Sequence, residues 1–226
     1  EQNTILVKDV NGIKVAFLSF TYGTNGIPVP SGKDYCVNLI DKDFIAQQLN
    51  LAKELSPDVI CVNMHWGVEY NHKQNSNQED LADFLFENGV DIILGSHPHV
   101  IQPMEKRTIT LEDGTTKDGF VIYSLGNFMS GQSTAYPKTC KSLILNLKIT
   151  KHGDTGKITI DSYSYIPTYM SDSDKTDSNR FKVLDINTCI ADYENGGNMV
   201  TSAMYTKIVK ALKEIEDIMG PTSMEY

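Results

Sequence analysis

The sequence lacks any run of 18 or more apolar residues, so it contains no segment of the length that a transmembrane helix requires. A strongly basic stretch is also absent, and 29 acidic residues against 20 lysines and arginines give a net charge of −9. Nucleic-acid-binding proteins concentrate cationic side chains on one surface, so this balance argues against a nucleic-acid partner. A polyanionic polymer is repelled for the same reason, unless a metal ion or a local lysine cluster meets it.

Cysteine is scarce, and the four cysteines show neither CxxC spacing nor a dense disulfide framework. Cys61 lies inside an apolar run, where a small core residue is expected. Cys36 and Cys140 both lie beside predicted loops, so a disulfide between them stays open at this point. The cysteines therefore do not identify the redox compartment.

Three of the five histidines directly follow apolar runs that are typical of buried strands. HWGVE at 65–69 follows the run at 58–64, and GSHPHV at 95–100 follows the run at 91–94. A helical apolar stripe lies between the runs, so the segment predicts a βαβ unit with two parallel, neighbouring strands. The carboxyl ends of such strands open into the ligand crevice of α/β proteins. We therefore expect His65 to lie close to His97 and His99.

Imidazoles with a nearby carboxylate are the donors of zinc, manganese and iron sites. Pro98 is expected to hold His97 in an extended conformation, in which the His97 and His99 side chains diverge. The pair then serves two metals, or one metal and a substrate. Glu69 is the candidate metal ligand, orienting carboxylate or general base. The alternatives are polar loop histidines and a solvated glutamate.

A third segment, YSLGNF at 123–128, predicts a strand that ends in a turn. Asn127 is the candidate for presenting an amide to the same crevice, and an ordinary strand and turn is the alternative. Trp66 is the second candidate on the substrate side, where we expect it to close the wall of the site rather than to contact the substrate specifically.

The remaining pattern predicts an α/β fold with mixed parallel and antiparallel sheets. Asn11-Gly12 between two β-rich runs predicts a type I′ hairpin. Several strands follow residue 100, and residues 200–219 form an amphipathic helix. We expect one unit over residues 1–185 and a helical extension over residues 186–226.

The three motifs in this order resemble the bacterial capsule-synthesis protein family called CapA or PgsA, a branch of the calcineurin-like metallophosphatases. They are HWGVEY at 65–70, GSHPHVIQPME at 95–105 and YSLGNF at 123–128, supported by NGIKVAFLSFTYG at 11–23. The resemblance covers about residues 5–150. It implies a partial four-layer α/β/β/α sandwich and a centre of two divalent ions (Mn, Zn or Fe). His65 and His97 would ligate one ion and His99 the other.

The resemblance also implies a role in synthesis or export of a poly-γ-glutamate capsule, on the extracellular face of the cell membrane. The motifs leave open whether members of the family hydrolyse phosphoesters, cut amide bonds or only bind polymer. For a complete domain we expect a phosphoesterase-like, metal-dependent hydrolase, with Glu69 and His99 as catalytic residues and Asn127 as a substrate or metal contact. The alternative is a non-catalytic module that binds the anionic polymer or a partner.

The N-terminal metal ligands of the superfamily are absent from this sequence. We therefore expect the C-terminal part of the domain, without its first strands and with any membrane anchor upstream. The missing strands would be replaced by the N-terminal piece, by a second copy in a homodimer, or by an element exchanged between copies.

Overall fold

The computed structural model describes residues 4–111, 114–134, 137–172, 180–220 and 223–225. The ten strands in these ranges are β1 Leu6–Val10, β2 Ile13–Thr21, β3 Val59–His65, β4 Ile92–Ser96, β5 Ile101–Thr110, β6 Thr116–Leu125, β7 Lys141–Lys151, β8 Ile158–Asp172, β9 Phe181–Asp185 and β10 Ser223–Glu225. The α-helices are α1 Lys42–Glu54, α2 Ser76–Glu87, α3 Ile186–Glu194 and α4 Ser202–Met219. Short 3₁₀ helices occur at Asp34–Cys36, Gly131–Thr134 and Pro137–Cys140.

The first six strands form one sheet, sheet 1, in the order β1-β2-β3-β4-β6-β5. Strands β2, β3, β4 and β6 run parallel to one another, whereas β1 and β5 pair antiparallel at the two edges. The prediction of neighbouring parallel strands before the two histidine segments is therefore confirmed. Asn11 and Gly12 both have positive φ, 54° and 86°, as a type I′ hairpin turn requires.

Sheet 2 is antiparallel and is built around the long strand β8, which pairs with β7, β9 and β10. A bridge between Gly126 and Ser142 connects the end of β6 in sheet 1 to the start of β7 in sheet 2. The second half of the chain is thus attached directly beside the carboxyl ends of the sheet 1 strands.

Helices α1 and α2 cover one face of sheet 1, and local sequence signals fix where each begins. The Asp41 carboxylate accepts from the Phe44 N–H at 2.8 Å, and Asn75 and Gln78 form a capping box. The apolar stripes of both helices are buried against the sheet, as shown by Ile45 and Leu85, which have no exposed surface. None of the described helices is long and apolar enough to cross a membrane.

The other face of sheet 1 is covered by sheet 2 together with α3 and α4, in one continuous apolar cluster. The rings of Phe120 in β6 and Tyr163 in β8 lie 5.1 Å apart, and the Tyr165 hydroxyl donates to the Gly220 carbonyl at the end of α4. Ile144 and Ile166, which pair across β7 and β8, remain exposed on the opposite face of sheet 2. The predicted α/β fold with mixed sheets is confirmed, and residues 186–219 contribute to the same core as the strands.

One ionic contact connects the amino end of β3 to the carboxyl end of β7. Asp58 accepts from the Lys14 N–H at 2.8 Å and forms an ion pair with the Lys151 ammonium, also at 2.8 Å. The bond from Lys151, followed by the backbone bond from Lys14, holds the pKa of Asp58 below its usual value.

Replacement of Asp58 by asparagine is expected to lower the free energy of unfolding at pH 7 by about 1 kcal/mol. A depressed pKa in the folded state stabilises the protein above the unfolded pKa of about 3.9, and this contribution is lost as the pH falls through the folded value. The difference between wild type and Asp58→Asn should therefore shrink below about pH 4. Urea unfolding at pH 7 and pH 3 measures this difference in the free energy of unfolding. Asp154→Asn, in an exposed turn, is the matched control, and an equal effect of both variants would contradict this account.

Candidate functional site

The predicted site residues gather at the carboxyl ends of the parallel strands of sheet 1. His65 ends β3, His97 and His99 follow β4, and Asn127 follows β6. Tyr22, which is not among the predicted residues, follows β2 at the same end of the sheet. Backbone hydrogen bonds hold the strand ends together, from the Tyr22 N–H to the His65 carbonyl and from the Trp66 N–H to the Ser96 carbonyl. The proximity that the strand topology predicted is therefore present.

His65 and His97 form a close pair, with ring centroids 4.7 Å apart. Tyr22 packs against both imidazoles, at 4.3 Å from the His97 ring and stacked at 5.7 Å on the His65 ring. The Ser96 hydroxyl lies 3.3 Å from His65 Nδ1. Tyr22 was not predicted from the sequence. Its signal was its position directly after a strand that pairs, through Thr21, with His65.

His99 lies between Asn127 and Glu69. Its Nδ1 is 2.9 Å from the Asn127 amide oxygen, and its Nε2 is 3.6 Å from a Glu69 carboxylate oxygen. The Asn127 oxygen can only accept, so Nδ1 carries the proton and Nε2 faces Glu69. The Asn127 amide nitrogen donates to Gln132, so both ends of this side chain are engaged. This geometry supports Asn127 in orienting His99 rather than as a free substrate contact.

The electrostatics of the pair favour neutral imidazoles. Burial lowers the pKa of His65, and the neighbouring His99 lowers it further. Burial also lowers the pKa of His97, with His65 as the next cause. Below-normal pKa values leave both rings deprotonated at neutral pH, which is the form that coordinates metal ions.

The backbone of the site is strained. His97, His99 and Tyr70 have φ values of 97°, 60° and 64°, in the left-handed region that non-glycine residues rarely adopt. Each such residue costs on the order of 1–3 kcal/mol, and residues of this kind collect at functional sites. The strain persists because the Tyr70 N–H donates to the Pro98 carbonyl at 2.8 Å and fixes the turn.

The prediction of an extended His97 is wrong. The local preference of a residue before proline is overridden by the turn that binds Pro98 to Tyr70. The two imidazoles consequently do not diverge as expected. Their ring centroids are 6.2 Å apart, and the His99 ring also lies 6.0 Å from the Tyr70 ring.

The prediction of Trp66 on the substrate side is also wrong. Trp66 is 1% exposed and lies in the apolar cluster between sheet 1 and helices α1 and α2. Its indole N–H donates to the Tyr123 carbonyl at 2.9 Å, and the two aromatic rings stack. Consecutive side chains of an extended segment point to opposite faces of a sheet. Trp66 therefore points away from the side of His65 and into the core between sheet 1 and the two helices.

A buried amide pair supports the loop that carries Glu69. Gln78 donates to the Gln102 side-chain oxygen at 2.8 Å, and Gln102 donates to the carbonyls of Asn71 and Lys73. Both glutamines have no exposed surface. Gly67 in this loop has φ of 84°, and a Cβ there would lie 2.8 Å from the Gln78 amide. The glycine of the HWGVE motif therefore lets the loop close onto the glutamine pair.

The glycine of the second motif has a different role. A Cβ on Gly95 would lie 2.0 Å from the Tyr123 carbonyl oxygen, so only glycine permits β4 to approach β6 this closely. This approach brings the His97–His99 turn towards Asn127.

The donors form two pairs, His65 with His97 and His99 with Glu69. Within the described residues, no group of three or more histidine, cysteine, aspartate or glutamate side chains is arranged to hold one ion. Imidazole and carboxylate are donor types that divalent transition-metal ions take, so each pair could supply part of a coordination shell. Cys36 and Cys140, whose pairing stayed open above, are free thiols, one exposed and the other buried.

Sequence comparisons show to which proteins this chain is similar. The profile of the family described as "Bacterial capsule synthesis protein PGA_cap" matches residues 1–132. "Capsule biosynthesis protein CapA" of Bacillus anthracis is 32% identical over 152 residues, which cover 66% of this chain and 34% of that protein. "PGA biosynthesis protein CapA" of Bacillus subtilis is 31% identical over 163 residues, covering 69% and 38%. The chain thus spans about a third of the length of these relatives.

Among solved structures, the NAD nucleotidase of Haemophilus influenzae aligns with a TM-score of 0.40 and 11% identity, over 96% of this chain and 37% of that one.

Replacement of Gln102 by leucine should destabilise the protein by roughly 2–3 kcal/mol, because buried Gln78 and two carbonyls lose their partner. The matched control is Gln48→Leu in α1. Gln48 is 2% exposed, and its amide nitrogen has no hydrogen-bond partner among the described residues. This control should be neutral or stabilising within about 1 kcal/mol. Chemical denaturation measures both variants. Equal losses would refute the supporting role of the Gln78–Gln102 pair.

Proposed function

This chain belongs to the bacterial capsule-synthesis family PGA_cap, and from that premise we propose that it carries the histidine half of a metal-dependent, phosphoesterase-like hydrolase centre used in capsule biosynthesis. The observation that carries the proposal is the convergence of His65, His97, His99 and Glu69 at the ends of parallel strands. The strained backbone at His97 and His99 supports the proposal, because such strain lowers stability and collects at functional sites rather than in ordinary polar loops.

We assign a role to each residue from its position in the site. His65 and His97 would hold one divalent ion (Mn, Zn or Fe), and His99 would hold the second through Nε2. Bound divalent ions polarise a phosphoryl group and lower the pKa of coordinated water. Asn127 keeps the proton of His99 on Nδ1, so that Nε2 faces the reacting side. Glu69, beside Nε2, would accept a proton as the general base or complete the ligand set.

We infer that further ligands come from outside this chain. The described donors form pairs, and the matched region covers only 34% and 38% of the relatives named as capsule proteins. An N-terminal segment of the same protein, or a second copy through dimerisation or element exchange, would supply them. The proposed substrate is the anionic poly-γ-glutamate polymer or a phosphoester, and the proposed location is the extracellular face of the membrane.

A second candidate function is a non-catalytic module that binds polymer in the capsule machinery. It is favoured by one observation: within the described residues, no three donors are placed around one point. In this case the histidines and Tyr22 would serve to stiffen the strand ends.

Calorimetric titration of the purified chain with Mn²⁺ and Zn²⁺ separates the two candidates. Asparagine is the appropriate replacement for His97 and His99, since it tolerates positive φ and so preserves the turn. We expect wild type to bind at least one of the two ions, and His97→Asn and His99→Asn to weaken binding by about tenfold or more. His152→Asn, in an exposed strand-end position, is the control and should bind as wild type does. No binding, or unchanged binding in both site variants, would reject the metal centre and favour the binding module.

A further inference from the structure

Tyr22 occupies a place at the strand ends that apolar burial does not explain. The residue is 48% exposed, so little hydrophobic free energy holds its ring where it lies. The ring nevertheless packs against two of the three clustered imidazoles, at 4.3 Å from the His97 ring and 5.7 Å from the His65 ring. These contacts indicate a role for Tyr22 towards the imidazoles themselves.

The His97 ring lacks the hydrogen bond that usually orients a metal-binding histidine. Such a histidine donates from its second ring nitrogen to a carboxylate, a carbonyl or a water, and this bond fixes the plane of the ring. His65 has the Ser96 hydroxyl at 3.3 Å, and His99 has the Asn127 amide at 2.9 Å. For the His97 ring, the residues that the structure describes provide no hydrogen bond. The nearest aromatic ring to it is that of Tyr22.

The stacked arrangement leaves the coordinating edge of the His65 imidazole free. The Tyr22 ring lies within 9° of parallel to the His65 ring, and at 42° to the His97 ring. An imidazole binds a metal ion through a nitrogen lone pair in the plane of the ring, at about 2.0–2.1 Å. A stacked neighbour covers the face of the ring instead. Tyr22 and an ion can therefore contact His65 at the same time.

Two contacts in turn fix the position of Tyr22. Its backbone N–H donates to the His65 carbonyl at 2.9 Å, and its hydroxyl donates to the Asn25 side-chain oxygen. Asn25 lies in a closed turn, in which the Ile27 N–H donates to the Thr24 carbonyl at 3.0 Å. The φ of Asn25 is 53°, a value that asparagine adopts more readily than most residues. This turn thus carries the group that anchors the phenol.

We propose that Tyr22 is a positioning residue of the metal centre, which holds the His65 and His97 imidazoles in the orientation that binds an ion. This inference rests on the proposed function, because it assigns a role towards the ion of that centre. The Tyr22 ring restrains His97 as a hydrogen bond restrains His99, and the turn with Asn25 restrains the ring. Loss of an orienting contact beside a metal ligand typically weakens metal binding by about 10–100-fold.

Calorimetric titration of Tyr22 variants with Mn²⁺ and Zn²⁺ tests this proposal. Tyr22→Ala should bind the ion that wild type binds about tenfold or more weakly. Tyr22→Phe keeps the ring and loses only the hydroxyl contact, so it should stay within about fivefold of the wild-type affinity. Tyr35→Ala is the matched control, because Tyr35 is also 48% exposed and lies in the same connection between β2 and α1. This control should bind as wild type does, and thermal unfolding confirms that each variant is folded.

A double-mutant cycle tests the part of the turn. Asn25→Gly keeps the positive φ of this position and removes the acceptor of the Tyr22 hydroxyl. It should weaken metal binding to the same extent as Tyr22→Phe does. The double variant Tyr22→Phe/Asn25→Gly should show no further loss, because both changes remove the same hydrogen bond. Additive losses would overturn the role of the turn.

Several outcomes would overturn the role of Tyr22 and leave the metal centre in place: equal affinity of Tyr22→Ala and wild type, or equal weakening in Tyr35→Ala. Tighter binding by Tyr22→Ala would also overturn it, because the ring would then obstruct the ion. A Tyr22→Phe variant as weak as Tyr22→Ala would assign the effect to the hydroxyl and not to the ring. Binding of neither ion by wild type would reject the metal centre and the role of Tyr22 with it.

Discussion

The parallel register of β2, β3 and β4 is the constraint on which the site depends. Thr21 pairs with His65, and His65 pairs with Ser96, so three strands end at one level of sheet 1. A different group lies at each strand end: the Tyr22 ring after β2, the His65 imidazole at the end of β3, and the turn with His97 and His99 after β4. A shift of one residue in the register would turn His65 towards the core and Trp66 towards the crevice. The apolar face of β3 therefore determines the position of the candidate chemistry.

Polar contacts fix the loops around these strand ends. The Gln78–Gln102 pair fixes the loop that carries Glu69, and the bond from Tyr70 to Pro98 fixes the strained turn. Buried amides that are hydrogen-bonded to each other favour one arrangement, because other arrangements leave buried polar groups unsatisfied. The donors are thus held in place before any ligand binds, which is what a metal or phosphoryl site requires.

The sequence predicted the elements that follow from periodicity and chain topology. The βαβ unit, the hairpin at Asn11-Gly12 and the proximity of His65 to the His97–His99 turn all rest on such patterns. The prediction for Trp66 was wrong although strand alternation already places it opposite His65. The conformation of His97 depends on the contact between Tyr70 and Pro98, which are distant in sequence, and this contact leaves no local signal. For Tyr22 the position directly after a strand was a signal, but its packing on two imidazoles depends on the pairing of strands.

The most direct test of the proposed metal centre is nuclear magnetic resonance of the histidine side chains during titration with substoichiometric Mn²⁺. Paramagnetic Mn²⁺ broadens the signals of nuclei close to it, so the five imidazoles report its position individually. The account predicts that the signals of His65, His97 and His99 broaden first, while the signal of His152, at the β7–β8 turn, stays sharp. Broadening that is equal at His152, or absent from the three strand-end histidines, would contradict it.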